Sequence, residues 1–299
     1  MKNILYICMS VVIATSIMSC NSEDEEAVNL HDPNEFFEPA PNAQDEESML
    51  RRAFQEKYGC YLLFNDTIQK RYIGDDINGD SVFKTELLAL DYTVPQVAYA
   101  SNYYTYTLLK TIDEKKSAVE FLETHIFKHI TNKLMPYSWF LCNQINYDNG
   151  SDVSHPYAAA GQRCIAISTG ILPRLRTEAQ INQYVSRILV SVLGQLLSNN
   201  SEAFEEFFAL SEGYYSLTFN ASSDAVALNY VKTHGFLDKS TNLWGGNETP
   251  SHDGDLNVFA TYSLNFSDEY IEKNYANYPV VLKKWYLFKE IIGSLGFNY

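Results

Sequence analysis

Residues 187–200, RILVSVLGQLLSNN, decide how the rest of the chain is read. On a wheel of about 100° per residue, Val185, Ile188, Leu189, Val192, Leu193, Leu196 and Leu197 fill one broad arc. Arg187, Ser191, Gln195 and Ser198 make a narrow polar stripe opposite it. That pattern predicts an amphipathic helix whose apolar arc lies on a core. Ser191 and Gln195 stand four apart, so they are neighbours on one face.

Working outward, the C-terminal half reads as helices over residues 178–197, 202–218, 223–233, 255–264 and 278–295, with Thr177 and Ser223 as N-caps. The N-terminal half is mixed. Met49, Leu50, Ala53 and Phe54 give residues 46–58 a helical period, and Gly59 stops it. Apolar runs at residues 60–64, 138–145 and 163–168, bounded by turn residues, predict buried strands. A further amphipathic helix is expected over 117–134, and the DDINGD stretch at 75–80 is a turn that lacks the Gly and Glu positions of a calcium loop. The expectation is an α+β fold with a mixed lobe over 46–198 and a mainly helical one over 199–299.

The chain opens MKNILYICMSVVIATSIMSCNSEDEE. Lys2 precedes an apolar run at residues 4–18, shorter than the roughly 20 residues a spanning helix needs. Residues 1–19 therefore predict a secretory signal peptide. Ile17-Met18-Ser19-Cys20 resembles a bacterial lipobox, a signal in which the Cys is acylated and becomes the mature N-terminus; this implies lipidation at Cys20 and membrane anchoring there. Residues 20–45 are acidic and carry no apolar period, which predicts a flexible tether ahead of a domain over 46–299. Acid-rich residues just after such a Cys resemble the surface-export signal of Bacteroidetes lipoproteins and imply a surface-exposed outer-membrane lipoprotein.

The formal net charge of −15 argues against nucleic acid and anionic headgroups as partners. Beyond Cys20 only Cys60, Cys142 and Cys164 remain, an odd number that cannot form a disulfide framework. His125 and His129 are four apart, but no Glu follows the first and Lys128 adjoins the second; they read as ordinary helix residues. His252, Asp253 and Asp255 sit in a Gly/Ser/Pro context that predicts a solvated loop.

Several segments together resemble the substrate import-associated zinc metallohydrolase lipoproteins of Bacteroidetes. They are the lipobox, the strand at 60–64, the helix at 184–198, FEEFFALSEGYYS at 204–216, HGFLDKS at 234–240, DGDLNVFATYSL at 253–264 and YPVVLKKWYLFKEIIGSLGF at 278–297. The resemblance implies a zincin-like fold, zinc chemistry and a place beside an outer-membrane nutrient importer. It sets the two His of the H-E-x-x-H motif at Ser191 and Gln195, the Glu at Val192 and a third ligand at Val258.

Those four residues cannot do the family's chemistry. Such a site needs imidazole and carboxylate ligands, which let the metal bring its water to a pKa of about 7. Ser and Gln are neutral, weak zinc ligands, and Val192 accepts no proton. The expectation is therefore a metallopeptidase homologue without catalytic residues and without zinc. It would assist nutrient uptake by binding a polymer or a partner. The alternatives are an active zinc metallohydrolase with unrecognised ligands, and a purely structural subunit of the importer. The 22 Tyr and 3 Trp suit stacking on sugars, but most aromatics in a domain are core.

Overall fold

The run SWFLC at Ser138–Cys142 is buried at every residue. An apolar run without alternation belongs in a strand covered on both faces, and this one is the second strand of a four-stranded sheet. The computed structural model describes residues 37–88, 90, 103–161, 163–242 and 245–298, without the side chains of 68, 69, 71, 86, 103, 195, 196, 198 and 199. Residues 1–36, including Cys20 and the expected signal peptide, lie outside the described residues.

The first half runs α1 (Glu46–Tyr58), β1 (Tyr61–Leu63), β2 (Thr67–Asp75), β3 (Ser81–Leu87), β4 (Tyr103–Thr107), α2 (Ile112–Phe121), β5 (Ser138–Cys142), β6 (Gln144–Asp148), β7 (Val153–Ser154), β8 (Ala158–Ala160) and β9 (Cys164–Ser168). The second half runs α3 (Glu178–Asn199), α4 (Glu205–Ala209), α5 (Asp224–Thr233), β10 (Ser240–Thr241), β11 (Asn247–Glu248), α6 (His252–Asn265), α7 (Asp268–Asn274) and α8 (Pro279–Leu295). The fold is α+β, as expected.

The main sheet has the order β1-β5-β9-β8, with β1, β5 and β9 parallel and β8 antiparallel. Side chains alternate between its faces. Leu62, Trp139, Leu141, Ile165 and Ile167 enter the larger core, and Leu63, Phe140, Cys142, Cys164 and Ala166 the smaller one. The larger core runs from Phe54 of α1 to Phe297 and takes in Ile188 and Leu193 of α3, Phe259 of α6 and Trp285 of α8. The stretches 46–198 and 199–299 thus share one core.

The smaller core includes Phe37. The Arg51 guanidinium donates to the carbonyls of Leu62 (2.7 Å) and Phe37 (2.9 Å), and the Tyr61 hydroxyl donates to Glu38 (2.6 Å). Residues 37–45, read as the end of the tether, are therefore bound to the folded domain. A single buried aromatic in that stretch carries no periodic signal.

Helix α3 starts at a capping box, in which Thr177 and Gln180 satisfy each other's backbone N–H. Its expected arc is buried at Val185, Ile188, Leu189, Val192, Leu193 and Leu197. It packs on α6 in the opposite direction. Asn265 Nδ2 donates to Ser186 Oγ (2.9 Å), and a Cβ added at Gly194 would lie 3.1 Å from Asn257 Oδ1.

Other elements depart from the sequence reading. Helix α2 begins at Ile112, five residues before the expected start, because Thr111 and Glu114 form a capping box. It continues as a π-turn at Leu122–Ile126 and a 3-10 turn at Phe127–His129, and Ile130 is extended, so it stops short of residue 134. Residues 202–218 are not one helix: α4 ends at Ala209, and Gly213 and Ser216 adopt positive φ (81° and 54°). The hairpin β2–β3 carries no sequence signal of a buried strand: among its described side chains Tyr72, Ile73, Phe83 and Leu87 are all exposed. Its tip is the turn expected at 75–80, with Asp76 Oδ1 accepting from the Asn78 and Asp80 amides (2.8 and 2.9 Å).

Candidate functional site

Ser191, Val192 and Val258, three of the positions to which the resemblance assigns the zinc motif, form no reactive group among the described residues. Val192 belongs to the larger core at 8% exposure, and Val258 packs against that core half-buried. The Ser191 hydroxyl donates back to the Arg187 carbonyl (3.1 Å), a bond internal to α3. The Gln195 side chain lies outside the described residues. Among the described residues, no three or more His, Cys, Asp or Glu side chains converge in a metal-holding group. His125 packs on the Phe121 ring (5.2 Å), whereas His129 stacks on Phe297 (5.8 Å) with its Nδ1 3.0 Å from the Asn298 carbonyl. His125 lies within the π-turn and His129 ends the 3-10 turn that follows, and the two imidazoles meet different neighbours.

His252, Asp253 and Asp255 are not a solvated loop. Ser251 caps the Gly254 amide, so these residues form the first turn of α6, and Asp255 is wholly buried. The Lys284 ammonium pairs with Asp255 Oδ2 and reaches Ser211 Oγ (3.0 Å) and the Tyr215 hydroxyl (3.2 Å). Tyr215 also donates to Asp255 Oδ2 (2.9 Å), and Asp255 Oδ1 has no hydrogen-bond partner among the described residues. The rings of Phe207, Tyr215, Phe236 and Phe259 surround the ammonium at 4.2–5.4 Å.

Burial raises the Asp255 pKa and lowers that of Lys284, each against the attraction of the other. The composition is that of an acid–base centre. Neither Lys284 nor Asp255 has exposed surface, and the cluster joins α6 to α8.

A cleft of about 560 Å³ opens elsewhere, outside the carboxyl ends of β5 and β9. In open sheets with parallel strands, that is where ligands collect, and the volume lies within the range of ligand sites. Its floor is the pair of turns that follow the two strands. Thr169 donates through its amide (2.7 Å) and hydroxyl (2.9 Å) to the Cys142 carbonyl, and the Gly170 amide donates to the Asn143 carbonyl (2.8 Å). Glycine is required at 170, since a Cβ there would lie 2.6 Å from both the backbone and side-chain oxygens of Asn143.

One wall is the face of α2 and its π-turn that carries Asp113, Ser117, Glu120, Phe121, Thr124 and His125. The lysines of α2 point away, Lys115 to Glu47 (2.5 Å) and Lys116 to Glu46 (2.9 Å) on α1. Glu114 accepts from the Lys110 and Thr111 amides (2.7 and 2.9 Å), which hold its carboxyl below its ordinary value. Burial, with Lys128 nearby, lowers the His125 pKa and favours the neutral ring. The opposite wall is apolar: Leu172, Pro173, Leu175 and Ile181.

A second cleft, of about 800 Å³, is lined by Lys128, His129, Gln180, Asn182, Gln183, Ser186 and Asn265 among others. Ser191, Val192 and Val258 line neither.

The sequence reading missed the first cleft entirely. The T-x-x-E box at 111–114 was the legible signal. It fixes the start of α2 and hence puts Asp113, Ser117, Glu120 and Thr124 on one face. The contribution of Asn143, Thr169 and Gly170 depends on β5 and β9 being neighbours, which no local pattern encodes. No protein-family model matches this chain, and no curated protein or solved structure does either.

Proposed function

We propose that this chain is a surface lipoprotein, anchored through Cys20, that binds a ligand without catalysis and serves an outer-membrane nutrient importer. The observation that carries the reading is the cleft outside β5 and β9, built with convergent polar groups on one wall and an apolar opposite wall. The zinc-motif positions support it from the other side: Ser191, Val192, Gln195 and Val258 supply no general base and no charged or imidazole ligand. Anchoring and surface placement rest on the lipobox and the acidic stretch behind it, and the importer on the resemblance of the flanking segments.

The test is a thermal-shift screen of peptides and oligosaccharides against the wild-type chain and Ser117→Trp. Ser117 is exposed on α2 and lines the cleft, so an indole there obstructs the site without disturbing the core. A ligand that raises the Tm of the wild type but not of the variant is expected. Stabilisation by a ligand that Ser117→Trp leaves unchanged, or none from either panel, would remove the cleft from the account.

A further inference from the structure

The charges on α2 are sorted by face. Its two lysines are consumed by Glu46 and Glu47 of α1. Among the described residues, Asp113 and Glu120, on the face toward the cleft, have no ion-pair partner and no Lys or Arg lines the cavity. Glu114 adds a third carboxylate at the same mouth. Leu172, Pro173, Leu175 and Ile181 offer an aliphatic surface across from them, and Leu109 and Phe121 also line the cavity.

An occupant must match both walls. A neutral apolar molecule would leave the carboxylates facing it unpaired as it displaced their water, and an anion would be repelled by all three. A compact inorganic cation would leave the aliphatic wall in water. A flexible alkyl stem ending in a positive group satisfies both, since the stem lies on the aliphatic wall while the head stays with the carboxylates. The net charge of −15 also favours the approach of cations.

Resting on the binding role given above, we infer that the cleft takes an aliphatic ammonium or guanidinium group. A lysine or arginine side chain of a peptide and a free diamine share that chemistry.

Four probes separate the cases by calorimetric titration of the full domain: a terminally blocked peptide with one central lysine, the same peptide with norleucine, pentane-1,5-diamine and a neutral trisaccharide. The lysine peptide should bind, and Ser117→Trp should abolish it. Norleucine should bind more weakly. Asp113→Asn and Glu120→Gln should each weaken the lysine peptide by up to about five-fold, as expected of exposed ion pairs. Their effect should shrink as salt screens it. Both positions are exposed, so the variants keep the fold.

Binding by the diamine as tight as by the peptide identifies a free amine as the ligand class; binding by the peptide alone identifies a basic side chain. Binding of the norleucine peptide or the trisaccharide at least as tightly as the lysine peptide, still blocked by Ser117→Trp, overturns the cation while leaving the cleft as a binding site. No binding by any probe overturns the cation inference, and if the wider thermal-shift panel is also silent the binding role falls with it.

Discussion

Lys284→Met tests whether the cluster that most resembles a catalytic centre is structural. The ammonium has three polar partners, Asp255, Ser211 and Tyr215, and its side chain has no exposure. Methionine keeps most of the stem and removes the charge. Asp255 then keeps only the Tyr215 hydroxyl, with Oδ1 already unpartnered. Removing one member of a buried pair costs about 3–5 kcal/mol. With a urea m-value of about 3 kcal/mol/M, the midpoint should fall by about 1–1.7 M.

Without Lys284, burial raises the Asp255 pKa further, so the folded chain holds a proton that the unfolded chain releases near its ordinary value of 3.8. The deficit should therefore grow as pH rises through the folded-state pKa and shrink on acidification. The triple variant Lys284→Met/Asp255→Leu/Tyr215→Phe removes the buried pair together with the Tyr215 hydroxyl bonded to it. Ser211 keeps its bond to the His234 carbonyl (2.8 Å). Apolar replacement of a whole buried pair is often neutral or stabilising, so the triple variant should recover most of the loss. A single variant that loses less than about 1 kcal/mol, or a triple variant no better than the single, would refute the structural reading.

Three further outcomes are expected. Gly170→Ala drives a Cβ into Asn143 and should cost about 1–3 kcal/mol, read as a lowered Tm, with loss of binding in the cleft. His125 and His129 both have pKa values lowered by burial, so the unfolded chain binds protons that the folded one resists. Stability should fall as pH drops below about 6.5, and denaturation of His125→Gln/His129→Gln across that window should show a flatter slope. Mass spectrometry of the mature protein should find an acylated Cys20 at its N-terminus; an unmodified N-terminus starting elsewhere removes the anchor.

The elements legible in the sequence were those whose pattern is local. Helix α3 declared itself through a full apolar arc and Thr177, and β5 and β9 through unbroken apolar runs. The Asp255–Lys284 pair was not legible, because its partners lie 29 residues apart and the Gly and Ser around Asp255 belong equally to a helix start. Spacing placed His125 and His129 on one helical face, but the first lies in a π-turn and the second ends a 3-10 turn. The cleft needs two strands to be neighbours and a helix to begin at Ile112, behind its Thr111 cap. The first is a tertiary fact, and the second was available in the capping box.

The most direct test of a binding protein in place of a zinc hydrolase is calorimetric titration of the wild-type domain with zinc, beside the variant Ser191→His/Gln195→His/Val258→Glu. The wild type should show no tight stoichiometric site. The variant, checked by circular dichroism for folding, should gain one if the three positions converge. One tightly held zinc per wild-type chain would contradict the account.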